Sequence, residues 1–424
     1  VNELAHKMGM DPVKVKEMNM PVEGGPLPGY PDVPYAQSCS MDRCMARAKE
    51  MMDWDSKYPC RDMGNGKVRG VGVAMAMQGS SIAGVDVGGA DIKLNEDGSY
   101  TLALGCTDMG TGCDTVMAQI AADCLNTPMD NIVVFSVDTD ISPYDSGSYA
   151  SATTYTTGVA VMKACEELKK KICKLGAEMM EVDEGKVDFD GSCVFYDETL
   201  EISDGADGNA AGHMTDAEEC YSVDMDAISS ENAQKKVSLK DIALKSTFFN
   251  NIELQVVKQH SSPISPPPFM VGMAEVEVDT ETGSVDVLDY VAVVDCGTPI
   301  NPNLARVQTE GGIAQGIGMA LWEDVQYTDK GKIRNNSFMQ YKIPTRQDIG
   351  NIRVDFECSY EKSGPFGAKS IGELVIDTPC PALAEAIYNA TGVRLTELPM
   401  TPEKIAMEIL KNRESIRSGT KVEE

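Results

Sequence analysis

The sequence predicts an α+β fold, because apolar patterns of period two and of period 3.6 are mixed along it without the steady alternation of a doubly wound sheet. Two further observations support that class. Asp97-Gly98 and the run Asp279 to Gly283 each interrupt an alternating apolar stretch, which is the signature of a β-hairpin. After each hairpin comes a glycine-rich turn and then a helical pattern, so the same order of elements occurs twice in 424 residues. A chain of that length holds two or three domains with their own cores.

Taken in order, Leu4, Met8 and Val13 have helical spacing that Pro12 interrupts. Pro21 to Pro34 reads as a linker or wrapping loop, and Met41 to about Met52 as a helix. The apolar run Gly70 to Met77 is expected to be a buried strand, followed by the hairpin Ala90 to Leu94 and Tyr100 to Gly105. Gly112 to Leu125 carries Val116, Ile120 and Cys124 at helical spacing, Ile132 to Val137 is a strand, and Thr153 to Leu175 is a helix ended by Gly176. Beyond Ser265 to Phe269 the order recurs, with the hairpin Met273 to Val278 and Ser284 to Val294, a helix from about Val307 to Leu321, and another over Pro381 to Tyr388. These are two related strand-hairpin-helix-strand-helix units, an internal duplication without a readable sequence repeat. The expected division is 1–65 (helix and wrapping linker), 66–176 (first unit), 177–265 (acidic insertion with a short helix near Leu239 to Lys245) and 266–424 (second unit).

Composition excludes several functions. The 37 basic and 66 acidic residues leave a formal charge of -29, which repels phosphate backbones and argues against nucleic acid as a partner. No apolar run reaches the roughly 18 residues of a membrane span and no signal peptide opens the chain, so the default location is cytoplasmic, with no membrane partner. Thirteen cysteines without regular spacing fit reduced thiols, and three histidines are too few for a histidine metal site. Cys39 and Cys44 lack the C-x-x-C that would complete a [2Fe-2S] run. The acidic crowd from Glu181 to Asp226 has no calcium-loop pattern and reads as a solvated insertion. If this protein uses a metal, something other than its side chains holds it.

Four segments can carry chemistry. Gly364 to Glu373 ends a glycine-rich loop on one carboxylate, which a pocket floor can present to a ligand. Cys106 to Thr115 places Gly110 and Gly112 at a helix start; free backbone N–H groups there would hold an anion, or else Asp108 caps the helix. Glu310 to Gly318 is a third glycine-rich run, and Tyr144 to Gly158 gathers hydroxyls before a helix, suited to a polar cofactor or to capping. No convincing dinucleotide or ATP loop and no serine triad occurs.

In combination, QGSSIAG (Gln78 to Gly84), GCTDMGTGCDT (Gly105 to Thr115), VDTD (Val137 to Asp140) followed by YASATTY, EGGIAQGIGMAL from Glu310, YKIPT (Tyr341 to Thr345) and GPFGAKSIGE (Gly364 to Glu373) resemble the molybdenum hydroxylases, the xanthine dehydrogenase and aldehyde oxidase family. They occur in that family's order across most of residues 1–400. The resemblance implies the family's molybdenum cofactor-binding fold and a molybdenum held by the dithiolene of a pterin, in the cytosine dinucleotide form, with no direct protein ligand. By motif position it places Met109, Gly110, Thr111 and Gly112 at the pterin or its phosphates, Ala150, Ser151 and Thr153 at its dinucleotide or pterin side, Gln308 and Gln315 at the ring, and Lys369 and Gly372 in the cofactor site. Thr111 stands where most members carry Gln, and the shorter hydroxyl cannot span the same distance. Glu373 matches the family's catalytic glutamate, a general base whose reach and environment set its function.

The resemblance also implies partners. The family's N-terminal half, with its GGGFGGK-like and AFRGYG-like loops, is not in this sequence, so the chain is expected to be the C-terminal half of a molybdenum subunit, completed by a partner carrying the other half. Subunits with [2Fe-2S] and FAD are expected to carry electrons away. The implied reaction hydroxylates an electron-poor carbon of a small N-heteroaromatic, of purine or nicotinate type, with water as oxygen source. Purine-oxidising relatives place an aromatic near the loop after Gly79, where this chain has Ser80, Ser81 and Ile82. Reductive dehydroxylation of an aromatic acyl-CoA and a noncatalytic acidic scaffold are the alternative readings.

Overall fold

Each hairpin builds its own sheet, and each sheet borrows a strand from the other half of the chain. The computed structural model describes residues 1–30, 32–200 and 236–418; the part of the acidic insertion from Asp204 to Asp226 lies outside them. The chain begins with α1 (Asn2–Lys7) and α2 (Pro12–Glu17), which Pro12 separates as expected, Asp11 capping α2 by accepting the Val13 N–H at 2.8 Å. Next come α3 (Met41–Met52), α4 (Trp54–Lys57), β1 (Cys60–Gly64) and β2 (Lys67–Met77). The first repeat holds the hairpin β3 (Gly88–Leu94) and β4 (Tyr100–Leu104), then α5 (Cys113–Leu125), β5 (Ile132–Ser136) parallel to β4, and α6 (Gly158–Met180). A small sheet of β6 (Val187–Phe189), β7 (Cys193–Tyr196) and β8 (Lys236–Ser238) follows, then α7 (Leu239–Leu244) and β9 (Gln255–His260). The second repeat matches the first: β10 (Phe269–Asp279) and β11 (Val285–Asp295) form the hairpin, α8 (Pro302–Leu321) returns the chain to β12 (Asn351–Phe356) parallel to β11, and α9 (Leu374–Asp377) leads into α10 (Pro379–Thr391). A last helix, α11, covers Pro402–Ser418.

The two main sheets have the orders β1-β2-β10-β11-β12 and β5-β4-β3-β9. This corrects the expected division at residues 66 and 266. β2 does not open the first sheet; it pairs antiparallel with β10, from Phe269↔Met77 to Asp279↔Lys67. In exchange β9, which the sequence pattern did not show, pairs with β3 in the first sheet. Burial explains the placement of β2. Val71 and Val73 pack with α3 on one face while Ala74 packs with α10 on the other, so the run has to sit inside a sheet covered on both sides. β4 alternates buried and half-buried positions instead, with one face against α5 and α6.

A second correction concerns α6, which runs through Gly176 to Met180. Gly176 is buried against β7, where an added Cβ would come within 2.7 Å of the Val194 Cβ. The glycine therefore makes room for a neighbouring strand rather than ending the helix. The start of that helix also differs: Thr153–Thr157 form a wide π-type turn before α6 begins, a device that often marks a functional position. All twelve cysteines among the described residues are free thiols. No helix among the described residues is long and apolar enough to cross a membrane.

Candidate active site

The two repeats bring equivalent turns to one cleft. The turn from β4 into α5 supplies Met109 and Thr111, and its counterpart from β11 into α8 supplies Thr298, Pro299, Ile300 and Asn301. Ahead of the last helix of each repeat, Ser148, Ser151 and Thr153 face the loop Ala368 to Glu373. They enclose a cavity of about 340 Å³. A more open lobe of about 810 Å³ adjoins it, lined by Gln78, Gly110, Val307, Gln315, Ile376 and Asp377 among others. Thr111, Leu304, Gln308, Gly372 and Glu373 belong to both lobes, so Glu373 stands on their common wall.

Glu373 is held by residues from three distant segments. The Gln78 amide donates to its Oε2 at 2.5 Å, and the Ser151 hydroxyl donates to the same oxygen at 3.3 Å. The Glu373 backbone N–H in turn donates to Ser151 Oγ at 2.9 Å. Among the described residues Oε1 takes no donor, which leaves it as the atom able to accept a proton from a ligand. Ser151 reaches this position because Ala150 and Ser151 both adopt positive φ, 49° and 56°, while the Ala150 carbonyl accepts the Ser81 N–H. Such backbone strain in non-glycine residues is a mark of functional sites. We expect Ser151→Ala to lower kcat/KM about tenfold, the equivalent of about 1.4 kcal/mol for one hydrogen bond to a charged group. Steady-state kinetics together with cofactor content check this, and an unchanged kcat/KM would remove Ser151 from the site.

The loop carrying Glu373 is fixed from beneath. Ser80 is fully buried and its hydroxyl both accepts the Ser370 N–H at 3.0 Å and contacts Ser370 Oγ at 3.2 Å. The serines that stand in place of an aromatic after Gly79 thus tie the Gln78 segment to the Glu373 loop. Lys369 exposes no side-chain surface; its ammonium pairs with equally buried Asp295 at 2.9 Å and donates to the Ser38 carbonyl at 3.2 Å. Lys369 consequently meets the cavity through its backbone, and its charge is directed into the core.

The helix start at α5 also departs from the anion-cradle reading. Asp108 Oδ1 accepts the N–H groups of Gly110 at 2.8 Å and Gly112 at 3.1 Å. Burial raises the pKa of this carboxyl, but the backbone donors prevail and hold it below the usual carboxylate value. The protein's own carboxylate has taken the donors that a phosphate would need. Asp108, Cys113 and Asp114 lie close together here, and hydrogen bonding accounts for them, since Asp114 Oδ2 accepts the Ser136 hydroxyl at 3.0 Å. Gly112 and Ala150 shape the turns without lining either lobe: Gly112 has φ 76° at the N-cap of α5.

What remains on the cavity walls is neutral. Hydroxyls of Thr111, Ser148, Ser151, Thr153, Thr154 and Thr298 and the Gln308 amide surround an apolar floor of Val116, Pro299, Ile300 and Leu304. Donors and acceptors of this kind match the edges of a flat pterin ring, and the apolar floor matches its face. The ring therefore fits this chain, whereas among the described lining residues no free cation meets its phosphate. Of the residues singled out from sequence, Met109, Gly110, Thr111, Ser151, Thr153, Gln308, Gln315, Gly372 and Glu373 come together at the cleft. Sequence reasoning missed Gln78 and Asp377. Gln78 opens a motif already singled out, and Asp377 follows Glu373 by one helical turn, so both were within reach of the pattern. Partial burial, with the charge of Glu373 added, raises the pKa of Asp377.

Residues 47–350 match the molybdopterin cofactor-binding domain. The chain is 33% identical over 419 residues to a probable hypoxanthine oxidase of Escherichia coli strain K12, covering 95% of this chain and 39% of that protein. It is 28% identical over 414 residues to a putative xanthine dehydrogenase molybdenum-binding subunit of the same strain, covering 96% and 50%. The chain thus spans half or less of the length of these relatives. In fold it resembles quinoline 2-oxidoreductase from Pseudomonas putida 86, with a TM-score of 0.80 at 22% identity over 97% of this chain and 51% of the other. The CO dehydrogenase of Oligotropha carboxidovorans superimposes with a TM-score of 0.78 at 21% identity, over 96% and 50%.

Proposed function

From the premise that this chain belongs to the molybdopterin cofactor-binding family of the molybdenum hydroxylases, we propose that it is the C-terminal half of a molybdopterin-binding subunit whose enzyme hydroxylates an electron-poor carbon of an N-heteroaromatic. The observation that carries this reading is the Glu373 carboxylate, held by Gln78 and Ser151 on the wall common to both lobes. A base that is anchored through one oxygen keeps the other at a fixed place for proton transfer.

In this reading Ser151, Thr153, Gln308 and Gln315 hold the pterin by hydrogen bonds, Met109, Thr111 and Leu304 border it, and the loop through Gly372 lets it approach the backbone. Gln308 is already oriented by donating to the Gly372 carbonyl at 3.2 Å. When bound, the molybdenum cofactor supplies the two-electron redox chemistry, with water as the source of oxygen. Glu373 Oε1 takes up the proton released as the new carbon–oxygen bond forms, while Ser151 and Gln78 keep the carboxylate from turning away.

The relatives' names support a multi-subunit setting, since one similar protein is the gamma subunit of a 6-hydroxypseudooxynicotine dehydrogenase complex and another the large subunit of a nicotine 6-hydroxylase. In our reading a partner supplies the other half of the cofactor cage and the cations for its phosphates, and [2Fe-2S] and FAD subunits take the electrons. The cytosine dinucleotide form is assigned to the cofactor on the hydroxyl-rich segment from Ser148 to Thr154. Metal and nucleotide analysis of the complex purified with its native partners tests this directly. Stoichiometric molybdenum with pterin and CMP released on hydrolysis is expected; a chain that holds the metal stoichiometrically as an isolated monomer would overturn the half-cage reading.

A further inference from the structure

Residues 322–350 join α8 to β12, whereas the equivalent connection of the first repeat, from α5 to β5, takes only residues 126–131. The second repeat therefore carries an arm that the duplication does not require, and connections of that length in a compact domain generally serve a function. The arm includes the YKIPT motif, Tyr341 to Thr345, and none of those residues lines either lobe of the cleft. Its own hydrogen bonds order it. The Arg334 N–H donates to the Gln326 carbonyl at 2.7 Å and the Thr328 N–H to the Lys332 carbonyl at 2.8 Å, while the Ser337 carbonyl accepts the N–H groups of Gln340 at 2.9 Å and Tyr341 at 2.8 Å. That last turn holds Phe338 and Met339 at its apex, 82% and 85% exposed. Tyr327, Ile333 and Ile343 on the same arm are exposed as well. Large apolar side chains this exposed, side by side, mark an interaction surface. Because the backbone beneath them is already ordered, little freedom is lost when a partner covers them.

The arm's anchorage, its charge and the length of the relatives identify what covers it. At its base the Tyr341 hydroxyl donates to Glu323 Oε2 at 2.7 Å, and Pro344 lies against Gly318 of α8, where an added Cβ would come within 3.0 Å of the Pro344 Cδ. The arm thus springs from the helix whose exposed Val307 borders the larger lobe, and its surface continues outward from the cleft. Residues 327–346 hold Lys330, Lys332, Arg334, Lys342 and Arg346 against Asp329 alone, in a chain of formal charge -29. The side chains of Lys330, Lys332 and Arg334 make no ion pair or hydrogen bond with any described residue. A two-fold contact between copies through this arm would set those cations against one another, whereas an acidic rim on a different segment would pair with them. In the relatives at least half of the length lies outside the region this chain matches. We propose that the arm is the docking element for the segment that carries the other half of the cofactor cage, with Phe338 and Met339 seated in an apolar pocket of that segment and Lys330, Lys332 and Arg334 facing an acidic rim around it. This rests on the half-cage reading above and goes beyond it, because it places recognition between the halves on a surface outside the cofactor cleft.

The test uses the complex purified with its native partners, with the photo-crosslinking residue p-benzoylphenylalanine in place of Phe338. Mass spectrometry should find position 338 joined to the segment that carries the GGGFGGK-like and AFRGYG-like loops. A cross-link to a second copy of this chain or to a [2Fe-2S] or FAD subunit, or no cross-link at all, in a complex that contains that segment overturns the docking assignment and leaves the half-cage reading standing. A complex with stoichiometric molybdenum and no such segment overturns both. In the same complex Phe338→Ala should speed dissociation on dilution roughly 10- to 100-fold, since the side chain is exposed on an ordered turn and its loss leaves the fold of this chain in place. Lys330→Ser, Lys332→Ser and Arg334→Ser combined should slow reassociation and lessen its dependence on salt. Dissociation of the Phe338→Ala complex at the unaltered rate contradicts the proposal.

Discussion

Glu373→Gln is expected to lower turnover by about 10²- to 10⁴-fold, the usual consequence of losing a general base, while molybdenum and pterin content stay at the level of the unaltered complex. The geometry separates these two outcomes. Glutamine has the same shape, and its carbonyl oxygen can still accept from the Gln78 amide and the Ser151 hydroxyl that now bind Oε2. The backbone N–H at position 373 keeps its bond to Ser151 Oγ as well. The loop therefore stays in place, and the hydroxyls and amides that suit the pterin belong to other residues of the wall. What disappears is the acceptor at Oε1, since an amide nitrogen there takes up no proton. Dye-linked kinetics paired with metal analysis on the same preparation provide the measurement. Retention of more than about a tenth of the rate would remove Glu373 from the role of base.

Lys369→Met is expected to cost about 3–5 kcal/mol of stability, the penalty for leaving a buried charge alone. Asp295 is wholly buried, and apart from Lys369 it accepts from the Ser40 N–H at 2.9 Å, the Gly297 N–H at 2.9 Å and the Ser359 hydroxyl at 2.7 Å. Those neutral donors orient the carboxylate without cancelling its charge. Methionine preserves the packing of the alkyl stem against the Phe269 ring, over which the ammonium now lies at 4.9 Å, so the loss isolates the charge. Adding Asp295→Asn should recover part of the stability, because the amide oxygen still accepts while no charge remains. Denaturant midpoints of the three proteins check this, and a Lys369→Met midpoint equal to that of the unaltered protein would contradict it. The pair also links the wrapping loop, through Ser38 and Ser40, to the segment that carries Glu373, so the same change should increase mobility at the cleft.

Much of the architecture was legible because it is local. Asp97-Gly98 and Asp279 to Gly283 turn hairpins by their own backbone preferences, and both hairpins form as expected. The helix expected from Met41 to about Met52 forms over Met41–Met52. Gly176 was misread because a glycine that ends a helix and a glycine that admits a neighbouring strand have the same sequence signature; the side chain of Val194 decides between them. Gly110 and Gly112 were misread in part for a related reason, since whether a helix start holds an external anion depends on where Asp108 points. Within the site, motif position found Glu373, Gln308 and Thr111 but passed over Gln78, whose importance comes from a hydrogen bond across 295 residues of chain.

By itself the sequence determined the two hairpins and the helices that follow them, the duplication, the net charge and the carboxylate that ends the Gly364 to Glu373 loop, since each depends on residues close together in the chain or on composition. Only the tertiary structure decided which sheet each leading strand joins, where the Lys369 charge goes, and which donors hold Glu373. Those outcomes depend on burial and on contacts between remote segments: β2 is apolar on both faces and must be covered on both, and a buried ammonium must find its carboxylate wherever the fold has put one.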